Sequence, residues 1–310
     1  MDLSSLRKEI KDFLGYRVPE TEVTFEIQNT SEQLEYTRYL INYRSIEGDE
    51  IGAFLLIPKG TGPFPAVLVH HQNNSEWHLG KSETCGIIGD TFQAFGHALA
   101  NKGMVVLAPD IICFEDRRFH SSGVKPSEGD SLNYLHEISK RLVVGDFLMK
   151  KLLLDAGVGV SLLAGHPQVN PEKIGTIGHA LGGNLGLFLS ALDERIKFAG
   201  ISGAASTYKS KIINRTPFDY AEIIPGFVKR FDVPDLVKCI APRKALFLST
   251  MEDKLTKDVV FIVESTREVF EGLGVPDHIQ YVTFESGRDI AREQFKFITE
   301  WMTACGKEDH

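Results

Sequence analysis

The chain has 310 residues, with 34 Lys+Arg against 42 Asp+Glu for a formal net charge of -8, and its 43% hydrophobic and 25% charged residues describe a globular protein, not a disordered tail. A chain of this length buries roughly 75% of the surface it exposes when unfolded, so it needs no covalent staple. The acidic balance, without any Lys/Arg-rich stretch interleaved with aromatics, excludes a nucleic-acid partner, and no apolar run approaches the roughly 20 residues of a membrane helix.

Residues 1–34 read as an N-terminal arm. Its first 30 residues carry charges throughout and lack the apolar core of a secretory signal, so a cytoplasmic protein is expected. Alternation of β-branched and aromatic residues over Glu35 to Tyr43 and over Glu50 to Pro58, around Glu47-Gly48-Asp49, predicts an antiparallel hairpin. Apolar runs then recur with helical stretches between them. Strands are predicted at Pro65 to His71, Gly103 to Asp110, Ile174 to Gly178, Ile196 to Ser202, Lys244 to Thr250 and His278 to Phe284. Helices are predicted near Thr91 to Asn101, over a long amphipathic stretch Leu142 to Leu163, and at Leu181 to Leu192, Asp258 to Leu273 and Ile290 to Ala304. Continuous apolar strands alternating with helices indicate an α/β protein whose parallel sheet is buried on both faces. Between 206 and 242 the pattern weakens, predicting short helices that cap the sheet's carboxyl edge. No repeat, low-complexity tract or linker interrupts 35–310, which reads as one domain.

The most informative window is Ile174 to Asn184, where a strand meets Gly178-His179-Ala180-Leu181-Gly182 and then a helix. This is the G-x-S-x-G nucleophile-elbow frame with alanine at its centre. The two glycines suit a turn too tight for side chains. The alanine methyl has no lone pair and forms no acyl-enzyme.

With this window the chain resembles the dienelactone-hydrolase and acetyl-xylan-esterase-like branch of the α/β-hydrolases. The resemblance is carried also by Val69-His70-His71-Gln72-Asn73, by His78-Leu79-Gly80-Lys81-Ser82-Glu83, and by Val105 to Asp110 with Phe114-Glu115-Asp116-Arg117. It spans about residues 35 to 304. It implies the α/β-hydrolase fold, with a mostly parallel eight-stranded sheet, helices on both faces, and a Ser, Asp, His triad in that chain order. Asp253 matches the acid, with Glu252 as the lesser substitute. At the base position the loop reads Glu285-Ser286-Gly287-Arg288-Asp289, so Arg288 stands where the histidine belongs. Arginine stays protonated and is no general base, so an ion pair with Asp253 is its expected role. His278 is a poor replacement, because it starts the last strand, roughly 20 Å from the catalytic end. The resemblance also implies an oxyanion hole from the backbone N–H groups of Leu181 and of Gln72 or Asn73.

Among other polar residues, His71 is expected to line the pocket while His70 packs in the core, and His179 is expected to pack beside the elbow. Glu115 and Arg117 follow a strand's carboxyl end, where open α/β sheets place their sites; they read either as a salt-bridge cluster fixing the loop or, with Cys113 and His120, as pocket groups for a new chemistry. The four cysteines, Cys85, Cys113, Cys239 and Cys305, lack CxxC or Cys/His spacing, so neither a disulfide nor a metal is expected. No GxGxxG follows a strand and no P-loop occurs, so no cofactor is expected.

Three functional readings follow. The first is a non-hydrolytic relative, a pseudoenzyme, that keeps a carbonyl-binding pocket. The second is a carboxylic ester hydrolase in which Ala180 is an engineered replacement of a native serine. The third is a repurposed lyase or isomerase using Glu115, His71 or His179. The partner expected in each small-molecule reading is an ester or carbonyl ligand, and a homodimer is left open.

Overall fold

The structure is a computed structural model that describes residues 2–19, 22–120, 122–251, 256–285 and 290–308. Its strands are β1 (Phe25–Glu32), β2 (Tyr36–Arg44), β3 (Glu50–Pro58), β4 (Phe64–His70), β5 (Val105–Pro109), β6 (Val169–His179), β7 (Ile196–Ser202), β8 (Lys244–Thr250) and β9 (Ile279–Phe284). Its helices are α1 (Leu3–Leu14), α2 (Lys81–Thr84), α3 (Phe95–Asn101), α4 (Asp130–Val143), α5 (Leu148–Gly165), α6 (Leu181–Leu192), α7 (Tyr208–Asn214), α8 (Val233–Ile240), α9 (Val259–Gly272) and α10 (Ile290–Lys307). Among the described residues the strands form one sheet in the order β1-β2-β3-β5-β4-β6-β7-β8-β9. The pairs from β1 to β5 are antiparallel, and β5, β4, β6, β7, β8 and β9 run parallel.

The parallel strands are apolar at successive residues because each face meets helices. Ala66 and Leu68 of β4 join the core under α5 and α6, while Val67 and Val69 join the core under α3 and α10. Ala245 and Phe247 of β8 divide from Leu246 and Leu248 in the same way. Strand β4 sits between β5 and β6, so the chain winds away from it in both directions. At such a switch point the loops leaving the carboxyl ends part and open a crevice. In register, His70 stands opposite Gly178 and His179 opposite Ser202, which brings the ends of β4, β6 and β7 level at that crevice.

The sheet has nine strands, one more than the eight expected. The additional strand is β1, and the segment read as an arm also holds α1. The single stretch Leu142 to Leu163 divides at Gly145, with a φ of 81°, into α4 and α5. Helix α5 is not amphipathic: Leu148 to Leu163 is apolar nearly all round and almost wholly buried, as suits a helix enclosed between sheet and neighbours. Between β7 and β8 lie α7, two 3-10 turns and α8, the short helices expected there. All four cysteines are buried thiols. Among the described residues no helix is long and apolar enough to cross a membrane.

Candidate active site

Strand β6 ends at His179, α6 begins at Leu181, and Ala180 makes the whole turn, with φ 49° and ψ −113°. That left-handed conformation is uncommon for a residue with a Cβ, and two glycines make room for it. A Cβ on Gly178 would collide with the Gly182 backbone, and one on Gly182 would collide with the carbonyl oxygens of His70 and His71. The turn is held by the Ala180 N–H donating to the Ser202 carbonyl and the Asn184 N–H donating to the Ala180 carbonyl, both at 2.9 Å. As the first residue of α6, Leu181 has an N–H without an intrahelical acceptor, at the positive end of the helix dipole.

Ala180 and Leu181 line a cavity of about 180 Å³ together with Asn73, Lys211, Phe218 and Asp219. Two of the backbone donors expected for the oxyanion hole therefore belong to residues of one cavity, Leu181 on its floor and Asn73 on the loop after β4. The opposite wall comes from the segment between β7 and β8. There the Lys211 ammonium donates to both carboxylate oxygens of Glu222 at 2.6 Å, with both side chains buried. Asp219 accepts from the Ala221 N–H at 2.8 Å, and burial, opposed by that bond, raises its pKa to about 6. Sequence reasoning read this segment as a possible cap but singled out none of these three residues. They belong to no motif, and only folding brings them opposite the elbow.

Gln72 and His179 line a neighbouring cavity of about 270 Å³ with Ser202, Phe95, Gln294 and Phe295. His179 Nδ1 lies 3.0 Å from Ser202 Oγ, and its ring fills the space above Gly203. It lines this cavity and is not among the residues lining the Ala180 cavity. The Gln72 amide donates to Glu83 at 3.2 Å.

The structure corrects the expectation for His71 and decides between the two readings of Glu115 and Arg117. His71 is not pocket-lining: it is buried, its Nε2 accepts from the Ile111 N–H at 2.9 Å, and its Nδ1 lies 2.9 Å from the Gln72 carbonyl. Burial pushes it down to about 4, so it is a neutral ring bonded on both sides, holding the loop after β4. Glu115 does not face the pocket either. Its carboxylate takes the Lys81 ammonium at 2.6 Å, the Ser82 hydroxyl at 2.7 Å and the Ser82 N–H at 2.9 Å. Arg117 is likewise engaged, with Asp155 at 2.8 Å, the Asp110 carbonyl at 3.0 Å, and Asp49. The region is the salt-bridge cluster that fixes the loop, and the acid–base chemistry weighed for Glu115 and His71 has no geometric basis. Burial likewise pushes Cys113 up to about 12, which keeps its thiol inert.

The carboxylates of Asp110, Glu115 and Asp116 converge closely enough to suit a metal ion. The cation among them is the Lys81 ammonium, buried and paired with all three at 2.7, 2.6 and 2.5 Å. It satisfies the cluster's need for positive charge.

Residues 16–233 match the family model described as Acetyl xylan esterase (AXE1), a span that includes the elbow, the loop after β4 and most of the cap segment. The chain belongs to the acetyl xylan esterase family. It is 29% identical over 314 residues to "Putative hydrolase YtaP" of Bacillus subtilis (strain 168), an alignment covering 96% of this chain and 98% of that one. Among solved structures, a "putative acetyl xylan esterase" from Bacteroides fragilis NCTC 9343 superposes with a TM-score of 0.73 at 17% identity, over 91% of this chain and 74% of that one. A glucuronoyl esterase from Solibacter usitatus superposes with a TM-score of 0.66 at 14% identity, over 96% and 91%. These structural likenesses give the α/β-hydrolase fold.

Within this acetyl xylan esterase fold, Asp253 and Arg288, the acid and base positions, lie outside the described residues, as does Glu252. His278, half-buried just before β9, has its Nδ1 2.6 Å from the Pro242 carbonyl, far from the elbow's edge of the sheet.

Proposed function

We propose that the chain holds a carboxylic-ester site in which residue 180 decides between binding and turnover. The observation that carries this reading is the elbow itself: Ala180 keeps a strained turn at the floor of a cavity, beside the first N–H of α6. An ester bound there directs its carbonyl oxygen to the Leu181 N–H and the N–H groups of Gln72 or Asn73. Such donors contribute about 2.7–4 kcal/mol in working enzymes. With the Ala180 methyl the ester is held without attack. With a serine hydroxyl at that position the site is that of a serine ester hydrolase, in which Asp253 orients a base supplied at position 288.

Family membership and the names of the relatives support ester hydrolysis as the ancestral chemistry, and hence the reading in which Ala180 replaces a serine, over a chain that has left ester chemistry. Arg288 favours divergence, because replacing a nucleophile alone would leave a histidine in place.

The test is hydrolysis of 4-nitrophenyl acetate by the chain as it stands, Ala180→Ser, Arg288→His and the double variant. Turnover is expected only where serine is present, and faster with Arg288→His. Four inert but folded proteins, none of which binds the ester, would overturn the proposal.

A further inference from the structure

We infer that the Ala180 cavity selects esters whose buried acyl part is uncharged and turns away carboxylates, with Asp219 setting the preference; this rests on the ester-binding reading above. Among the described residues the charged groups that line the cavity are Lys211, Asp219 and Glu222. Lys211 is spent on Glu222, both of whose oxygens it meets at 2.6 Å, so that pair presents no net charge. Asp219 has no ion-pair partner among the described residues; it accepts from the Ala221 N–H, and its own N–H donates to Glu222 at 2.8 Å. Among the described residues the wall between β7 and β8 therefore carries one surplus negative charge. The positive end of α6 lies at the floor, where it favours the ester carbonyl oxygen.

The remaining lining includes Phe218, Ala204, Ala205 and Leu181, so the half-buried Asp219 meets a guest across a partly apolar wall that weakens solvent screening. In about 180 Å³ an acyl group has no position remote from that carboxylate. The described groups facing Asp219 include Asn73, Lys211, Glu222 and the buried phenols of Tyr134 and Tyr208, which burial keeps neutral, and a carboxyl titrating at about 6 is ionised at pH 7.5. The same wall acts on the product. Hydrolysis adds water across the acyl C–O bond, the alcohol leaves with one hydrogen, and the acid releases the other proton to solvent. A neutral guest becomes an anion beside Asp219, and its departure is favoured.

The chain as it stands lacks a hydroxyl at 180, so it holds activated esters intact for titration. At pH 7.5, 4-nitrophenyl butyrate should bind about tenfold or more tightly than mono-4-nitrophenyl succinate, its carboxylate-bearing counterpart. Asp219→Asn keeps an oxygen for the Ala221 N–H and should shrink that ratio at least about threefold, mainly through tighter binding of the succinate ester. Lowering the unaltered chain to pH 5 should shrink it likewise, which keeps the test open should the variant misfold. Equal affinities, or a ratio that neither change moves, would sink the inference while leaving ester binding in place. If neither ester binds the folded chain, the ester-binding reading falls and this inference with it.

Discussion

Ala180 carries backbone strain in this chain without a nucleophile to show for it. A non-glycine residue in so sparsely populated a region costs about 1–3 kcal/mol, and Gly's greater unfolded-state entropy offsets about 0.4–1 kcal/mol of the relief a glycine brings. Ala180→Gly is therefore expected to raise stability by about 1 kcal/mol, read from the midpoint of denaturant unfolding. The flanking positions behave oppositely. Gly178→Ala and Gly182→Ala each put a methyl into backbone and should cost more than about 3 kcal/mol by the same measurement. These residues were legible in the sequence for the reason they are needed, since only a chain with no room for side chains keeps glycine on both sides of the turn. The rest of the site was less legible. His71 resembles a pocket base, but its two ring nitrogens are committed to Ile111 and Gln72, residues 40 and 1 positions away, and a pairing at that distance leaves no local pattern.

Between β5 and α4, a loop polar enough to resemble an active site is held by Lys81. Its carboxylate partners lie 29, 34 and 35 residues further along the chain, which is why the cluster could be suspected but not assigned a centre. Lys81→Met leaves three converging carboxylates unbalanced and should cost about 3–5 kcal/mol, with partial recovery of the melting temperature in millimolar calcium. The cluster also sets a pH limb. Burial, with the Glu115 charge adding, raises Asp110 to about 7, against the pull of Lys81. The folded chain then binds more protons than the unfolded one between about pH 4 and 7, so stability falls as pH rises through that window. Asp49 contributes the reverse: Lys151, Ser45 and Arg117 overcome its burial and hold it well below the ordinary carboxylate range, so its stabilisation is lost as pH falls below about 4. Asp110→Asn should lower stability at pH 5 yet flatten the decline between pH 5 and 8, as urea unfolding across that range would show. The cap responds to its own buried pair. Lys211→Met strands Glu222 and should cost about 3–5 kcal/mol, visible as faster proteolysis between 206 and 242.

Across the whole molecule, the alternation of apolar strands and helices made the parallel sheet readable, while the strand with exposed residues on both faces, β1, went unread because it has no buried face to impose a period. Helix α1 did carry a signal, with Leu6, Ile10 and Leu14 spaced along one buried side. Arg7 bonds the Cys239 carbonyl at 3.0 Å, and Phe13 packs edge-on against Phe227 and Phe231, so this first helix seats the base of the cap segment. Deleting residues 1–15 removes three buried aliphatic side chains, each contributing about 1.5–3 kcal/mol, and should lower the melting temperature and shift ester affinity together. The arrangement also has a consequence in time. Arg7 precedes Cys239 by 232 residues, so at about 5–20 residues per second the ribosome takes roughly 12–46 s to produce the partner after the helix. Until α8 follows α6 out of the ribosome its apolar stripe is only partly covered, and the emerging chain, far more than the finished one, offers this helix to chaperones and proteases.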